Sequence, residues 1–133
     1  MHKFFSIITV VKNNSVNIGL TIESVLNQKF ANFEYIIIDG YSNDGTSEII
    51  KKFYQKNPKI KYYRFNDKGI YDALNFAISK AKGEYIGIIH SGDLYFSKNI
   101  LKNVANKIIK KDFLFFKIDF FDNDLKISRT WSF

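Results

Sequence analysis

Apolar residues fall in this chain as short continuous runs alternating with helical-period stretches. Residues 4–11 (FFSIITVV) are β-branched and aromatic, which is the signature of a buried strand. Asn13-Asn14-Ser15 makes a loop, and Ser15 can cap a helix beginning after it. Ile18, Ile22, Val25, Leu26 and Phe30 then recur at helical spacing, which predicts a helix over 16–29. Residues 33–38 form a second apolar run, 40–45 a loop, and 46–55 a helix with Ile49, Ile50, Phe53 and Tyr54 on its apolar side. Asn57-Pro58 ends that helix.

The same alternation continues. Residues 61–65 predict a third strand, and Asp67-Lys68-Gly69 turns into a helix whose inner face is Ile70, Ala73, Leu74, Ala77, Ile78 and Ala81. Gly83 is a helix stop. A fourth strand occupies 84–89, then an amphipathic helix runs over 97–110 through Leu101, Val104, Ala105, Ile108 and Ile109. Residues 113–121 and 126–131 predict two closing strands joined by a turn at Asp122-Asn123-Asp124. Four β-α units and then two strands imply an α/β fold: an open, mainly parallel sheet with helices on both faces, in a single domain over 1–133.

Composition narrows the chemistry. Of 133 residues none is Cys and only His2 and His90 are His, which excludes disulfides, thiolate zinc, a cysteine nucleophile and a multi-histidine metal centre. Aromatics reach 17%, mainly Phe, and read as a core built with Phe in place of Leu. The formal charge of +7 admits nucleic acid, an anionic membrane face or a phosphate-rich substrate. The basic residues are scattered, without an arginine-rich arm or a known nucleic-acid motif, so nucleic acid is not the expected partner. No run reaches the ~18 apolar residues that span a bilayer, and the N-terminal segment has no small-residue cleavage site. The expected location is cytoplasmic, with weak attachment to the inner membrane face as a second expectation.

Two apolar runs end in an acid. FEYIIIDG delivers Asp39 and GEYIGIIHSGD delivers Asp93, both to the carboxyl edge of the sheet, where open α/β folds bind ligands. A carboxylate at Asp39 can accept hydrogen bonds from a base N–H or from ribose hydroxyls. Asp44 or Thr46 can cap the second helix. Asp93 suits Mg²⁺ or Mn²⁺, and a metal held by one or two carboxylates completes its shell with substrate phosphates and water. His90 lies beside it. Gly69 permits close approach to a helix start, where anions bind, and Lys68 can help to neutralise a phosphate. Tyr71, Asp72 and Asn75 occupy the first turns of that helix. A phosphoacceptor signalling domain shares this strand order but wants an acid pair after the first strand, where this chain has Lys12-Asn13-Asn14.

SIITVVKN, EYIIIDGYSNDGT and DKGIYDALNFAISKAKGEYIGIIHSGD, in this order and spacing, resemble the family 2 glycosyltransferases, enzymes of the GT-A fold. The likeness covers about residues 4–131 and is strongest to bacterial members of polysaccharide-assembly pathways. It implies transfer of a sugar from a nucleotide-diphosphate donor, with inversion, to a glycan or lipid-linked acceptor. It implies that Thr9 lies near the base and ribose, that Asp39 binds the base, and that Asp67, Lys68 and Gly92 belong to the donor-binding stretches. It assigns Asp93 to the divalent metal, Mn²⁺ or Mg²⁺. The strand-end motif of the family is Asp-x-Asp-Asp-like; here it is His90-Ser91-Gly92-Asp93, with only the last acid. Family members continue beyond the position of Phe133 into an acceptor-binding region that supplies a general base, and no residue here matches that base. The alternative expectation is therefore a shortened, non-catalytic nucleotide-sugar-binding or interaction module.

Overall fold

The computed structural model describes residues 3–114, 118–121 and 126–131. The chain divides into two compact units, Met1–Lys102 and Asn103–Phe133. In the first, strands β1 (Lys3–Val11), β2 (Phe33–Asp39), β3 (Ile60–Arg64) and β4 (Gly83–Ile88) form one sheet in the order β3-β2-β1-β4, every pair parallel. Helices α1 (Ile18–Leu26), α2 (Thr46–Lys56) and α3 (Ile70–Lys80) make the crossovers, and α4 (Ile100–Ile108) comes after β4. The second unit contributes β5 (Ile118–Phe121) and β6 (Ile127–Trp131), an antiparallel pair with its own sheet.

All seven residues of β2 are buried, as expected for a strand flanked on both edges and covered on both faces. Its even-numbered side chains, Ile36 and Ile38, pack with Ile8 against Ala73 and Ala77 of α3. Those alanines, four residues apart, let the helix axis approach the sheet. The odd-numbered side chains face α2, since Ser47 of α2 donates to Asp39 and the Tyr54 ring of α2 lies 6.1 Å from that of Tyr62, which is in register with Ile37. Helices therefore cover both faces, as the alternation predicts. Each fully buried isoleucine contributes about 1.5–3 kcal/mol relative to exposure.

Several boundaries differ from the sequence expectation. The fourth helix is nine residues rather than fourteen: at its start Ser97 and Lys98 give their carbonyls to Gln28 and Lys29, and past its end Lys110 turns to φ 65 while the Lys111 N–H bonds the Ile108 carbonyl. Ile70 and Ile78 are 45% and 43% exposed although the period puts them inward, and Tyr54 of α2 is 48% exposed. Of the two closing strands and their turn, residues 115–117 and 122–125 lie outside the described residues, and β5 and β6 pair with each other. Among the described residues no helix is long and apolar enough to cross a membrane.

At the amino end of the sheet a buried carboxylate joins three segments. Glu34 Oε1 accepts from Ser6 Oγ and from the Lys82 N–H, both at 2.6 Å, and Ser6 Oγ accepts from the Gly83 N–H at 2.8 Å. A Cβ at Gly83 would lie 2.4 Å from Ser6 N and 2.5 Å from Phe5 C, so only glycine lets β4 come this close to β1. Gly83→Ala is expected to destabilise the protein by about 1–3 kcal/mol, as overpacking against backbone does, read as a lower urea midpoint.

Candidate functional site

The crossovers set the location. From β1 the chain winds outward through β2 to β3, then returns to lay β4 on the other side of β1. The order reverses at β1, and the crevice of such a sheet lies outside the carboxyl ends of the strands at that point. The register aligns Val11, Asp39 and Arg64 at this edge. Residues 12–14 leave β1 there and residues 89–93 leave β4 there.

Asp39 ends β2 and is fully buried. Its Oδ1 accepts the Ser42 N–H at 2.9 Å, its Oδ2 accepts the Tyr62 hydroxyl at 2.8 Å, and Ser47 Oγ also donates to Oδ2. Arg64 Nε lies 3.7 Å from Oδ2, and the Arg64 guanidinium stacks 4.5 Å from the ring of half-exposed Tyr41. Burial by itself would raise the Asp39 carboxyl; the hydrogen bonds from Ser47, Ser42 and Tyr62 outweigh it and hold the group below the ordinary carboxylate range. Tyr62 is pushed up to about 12, first by burial and then by its bond to this carboxylate.

The loops around Asp39 are tied to one another. Asn13, in the left-handed region at φ 52, accepts the Asn43 N–H through Oδ1 at 2.8 Å and donates its own N–H to Ser42 Oγ at 2.9 Å. The Asn14 N–H donates to Thr46 Oγ1 at 2.9 Å. Asp44 accepts the Thr46 N–H and the Ser15 N–H, each at 3.1 Å, but the N-cap position of α2 is Gly45, so neither Asp44 nor Thr46 is the expected side-chain cap. Hydrogen bonding, led by the Thr46 hydroxyl, lowers its carboxyl to about 2.

Thr9 is also fully buried, with its hydroxyl 2.8 Å from the Tyr35 hydroxyl and donating to the Ile89 carbonyl at 2.8 Å. It thereby pins the end of β4 to β1. Asp67 Oδ1 accepts the Gly69 N–H at 3.0 Å, and its Oδ2 lies against Gly40, 3.1 Å from where a Cβ would stand. Asp72 accepts the Lys68 N–H at 2.9 Å, and the Lys68 side chain is exposed. These two bonds order the turn that leads into α3, with Gly69 at its N-cap.

Asp93 and His90 are exposed, and the Asp93 N–H closes a turn onto the His90 carbonyl at 2.9 Å. Gly92 between them has φ +99, which a side chain would strain. This turn is held by a polar stripe on and beside α1 that the apolar periodicity does not reveal. Asn14 Nδ2 donates to Ser91 Oγ at 2.9 Å, the Gly92 N–H to Thr21 Oγ1 at 2.9 Å, and the Tyr95 N–H to Ser24 Oγ at 3.3 Å. Gln28 donates to the Ser97 carbonyl at 2.7 Å and accepts the Leu101 N–H at 3.0 Å. Thr21 and Ser24 on α1, and Gln28 just past its C-cap, recur at intervals of three and four and bond the segment after β4 at Gly92, Tyr95, Ser97 and Leu101.

Among the described residues no three His, Cys, Asp or Glu side chains gather as a ready-made metal cage. A lone exposed carboxylate on a fixed turn fits a hard divalent cation whose other ligands are phosphate oxygens and water. An open groove lies along β3, lined by Tyr54, Asn57, Pro58, Lys61 and Tyr62; it shares Tyr62 with Asp39.

Residues 6–131 match the family described as Glycosyl transferase family 2. A curated Escherichia coli relative, UDP-Glc:alpha-D-GlcNAc-diphosphoundecaprenol beta-1,3-glucosyltransferase WfaP, is 33% identical over 128 residues, 96% of this chain and 50% of the relative. The structure of S. aureus TarS 1-349 in complex with UDP-GlcNAc superposes with a TM-score of 0.71 at 30% identity, over 80% of this chain and 31% of that one. A Pyrobaculum calidifontis mannosyltransferase, PcManGT in complex with GDP-Man and Mn²⁺, superposes with a TM-score of 0.74 over 81% of this chain and 33% of that one; at 20% identity it speaks for the fold. The chain spans half or less of the length of each. These likenesses make the parallel sheet a GT-A fold.

This geometry has two testable outcomes. Because Asp39 has a folded value below its unfolded one of about 3.9, its contribution to stability is complete above that pH and is lost as pH falls through the folded value. Ser47→Ala is expected to cost about 1–3 kcal/mol at neutral pH and to raise the Asp39 carboxyl, flattening the acid limb of a urea-stability profile. Thr21→Val leaves the Gly92 N–H without its acceptor; amide exchange at Gly92 and Asp93 is expected to accelerate about 5- to 100-fold, and Thr21→Ser to restore protection.

Proposed function

The chain belongs to glycosyl transferase family 2, and on that premise we propose that it binds a nucleotide-diphosphate sugar across the end of β1 and transfers the sugar, with inversion, to a glycan or lipid-linked acceptor. The observation that carries this reading is that β2, which ends in Asp39, and β4, from which the Asp93 turn leaves, flank β1 on opposite sides, two strand spacings or about 10 Å apart. A nucleoside diphosphate laid across β1 bridges that interval, with its base toward β2 and its phosphates toward β4. The E. coli relative is named for a UDP-Glc donor and the TarS structure holds UDP-GlcNAc, which supports a donor of this class.

Each residue then has a distinct task. Asp39 stays ionised and accepts from the nucleoside; since it is fully buried, contact requires the exposed Tyr41–Arg64 pair beside it to shift. Tyr41 offers an aromatic face to the base. Thr9 acts from beneath, holding the Ile89 carbonyl and with it the start of the Asp93 turn. Asp67 lines the Gly40 side of the crevice, Lys68 adds an exposed positive charge at its rim, and Gly92 lets backbone approach the diphosphate. Asp93 holds Mn²⁺ or Mg²⁺, as the Mn²⁺ in the mannosyltransferase structure suggests for the fold. When bound, that ion supplies positive charge to the departing nucleoside diphosphate. Transfer also requires a base within hydrogen-bond reach of the acceptor hydroxyl. Asp119 lies in the second unit, hydrogen-bonded to Thr130 at 2.7 Å, and Asp122 and Asp124 lie outside the described residues. A cytoplasmic location belongs to the same reading.

Calorimetry with UDP-, GDP- and dTDP-sugars, with and without Mn²⁺, tests this. One donor is expected to bind with metal enhancement. Asp93→Ala is expected to remove the enhancement, and Asp39→Ala to weaken binding about 10- to 100-fold under either condition, as loss of a charged hydrogen-bond partner does. Parent-like binding by both variants overturns the assignment. Donor binding without transfer or hydrolysis points to the second reading, a binding module, which the lone acid of the metal turn favours.

A further inference from the structure

The stretch directly after Asp93 has a charge pattern that donor binding does not use. Residues 94–111 contain five lysines (Lys98, Lys102, Lys107, Lys110 and Lys111) and no Asp or Glu. Within the first unit, Lys98 and Lys102 are exposed. The Lys29 N–H donates to the Lys98 carbonyl at 2.7 Å, which brings a third exposed lysine alongside.

The same stretch carries apolar side chains that face water. Tyr95 turns inward, its hydroxyl reaching the space beside Gly87 of β4 and burial pushing that hydroxyl up. Its neighbours are exposed, Leu94 at 37% and Phe96 at 91%. Bonds from Ser24 and Gln28 to Tyr95, Ser97 and Leu101 hold the backbone here, so Phe96 is displayed from a fixed platform rather than a loose tip.

We propose that residues 94–102, with Lys29, form a docking face for an anionic lipid surface. Phe96 and Leu94 enter the boundary between headgroups and acyl chains, and Lys29, Lys98 and Lys102 sit on the lipid phosphates. The chemistry favours lipid over nucleic acid. The cluster has lysine where base and backbone readout prefers arginine, and the chain has arginine only at 64 and 129. The apolar partner of Phe96 is an aliphatic leucine, which stacks on no base. Docking by this face puts Asp93, the residue before it, next to the membrane surface. The inference does not rest on the donor reading, because vesicle binding requires no nucleotide.

Co-sedimentation of the full chain with phosphatidylcholine vesicles, with and without phosphatidylglycerol, tests it. Binding is expected only to the anionic vesicles and is expected to weaken as salt rises. Lys98→Gln/Lys102→Gln is expected to reduce partitioning about fivefold per lysine, and Phe96→Ser about tenfold. Lys51→Gln/Lys52→Gln on α2, with the same loss of net charge, is expected to change it less than twofold. Absence of binding to anionic vesicles, equal binding to neutral ones, an equal effect from the α2 pair, or retention of full binding by Phe96→Ser each overturns the proposal. So does capture of single-stranded RNA in place of vesicles.

Discussion

The parallel register of β2 between β1 and β3 is the constraint on which the site depends. It sets Val11, Asp39 and Arg64 abreast at the carboxyl edge, and a shift by one residue would turn Asp39 to the other face of the sheet. That register is enforced by seven consecutive buried positions on β2, where any slip would send isoleucines and a tyrosine into the wrong layer. The buried carboxylate at the end of the strand is tolerable only because Ser42, Ser47 and Tyr62 bond to it. Core packing and site geometry are thus one arrangement: moving the strand would leave an ionised group without partners.

The two halves of the crevice are built differently. On the β2 side, the acid is buried and caged by hydrogen bonds, and its charge state and orientation are set before any ligand arrives. Preorganised groups of this kind do not reorganise at the moment they are used. On the β4 side, Asp93 is exposed, and order comes from the backbone of its turn, which α1 holds through Thr21 and neighbouring polar side chains. A metal shell completed by substrate phosphates and water requires such openness. Thr9 links the two sides, since one hydroxyl in the sheet interior meets both Tyr35 of β2 and the carbonyl that ends β4.

The architecture was legible in the sequence because its signals are short-range. Apolar runs of strand length, helical periods between them, and Pro58 and Gly83 as breaks are enough to give the alternation of a mainly parallel sheet, though not the strand order β3-β2-β1-β4. FEYIIIDG puts Asp39 on its strand end for the same reason, whereas Asp93 stands five residues past the end of β4, in a turn. The partners of Asp39 were not legible, since Tyr62 and Arg64 reach it only through the pairing of β2 with β3, 23 residues on in the case of Tyr62. The stripe of Thr21, Ser24 and Gln28 was present in the same window as Ile18, Ile22 and Val25. A search for polar residues at helical spacing would have found it, because a helix can have a polar face that is not a solvent face. The fourth helix was overextended because amphipathic periodicity continues through Ser97 and Lys98, whose carbonyls are taken by α1 and its C-terminal extension.

Mn²⁺ broadening of backbone amide resonances, recorded with and without a nucleoside diphosphate, tests most directly whether a nucleotide–metal site is built on these strand ends. The account predicts that Mn²⁺ alone broadens little, and that with nucleotide present the loss of signal centres on Ser91, Gly92 and Asp93 while shifts appear at Gly40 to Ser42. Broadening centred elsewhere, or strong broadening at Asp93 that nucleotide does not alter, would contradict it.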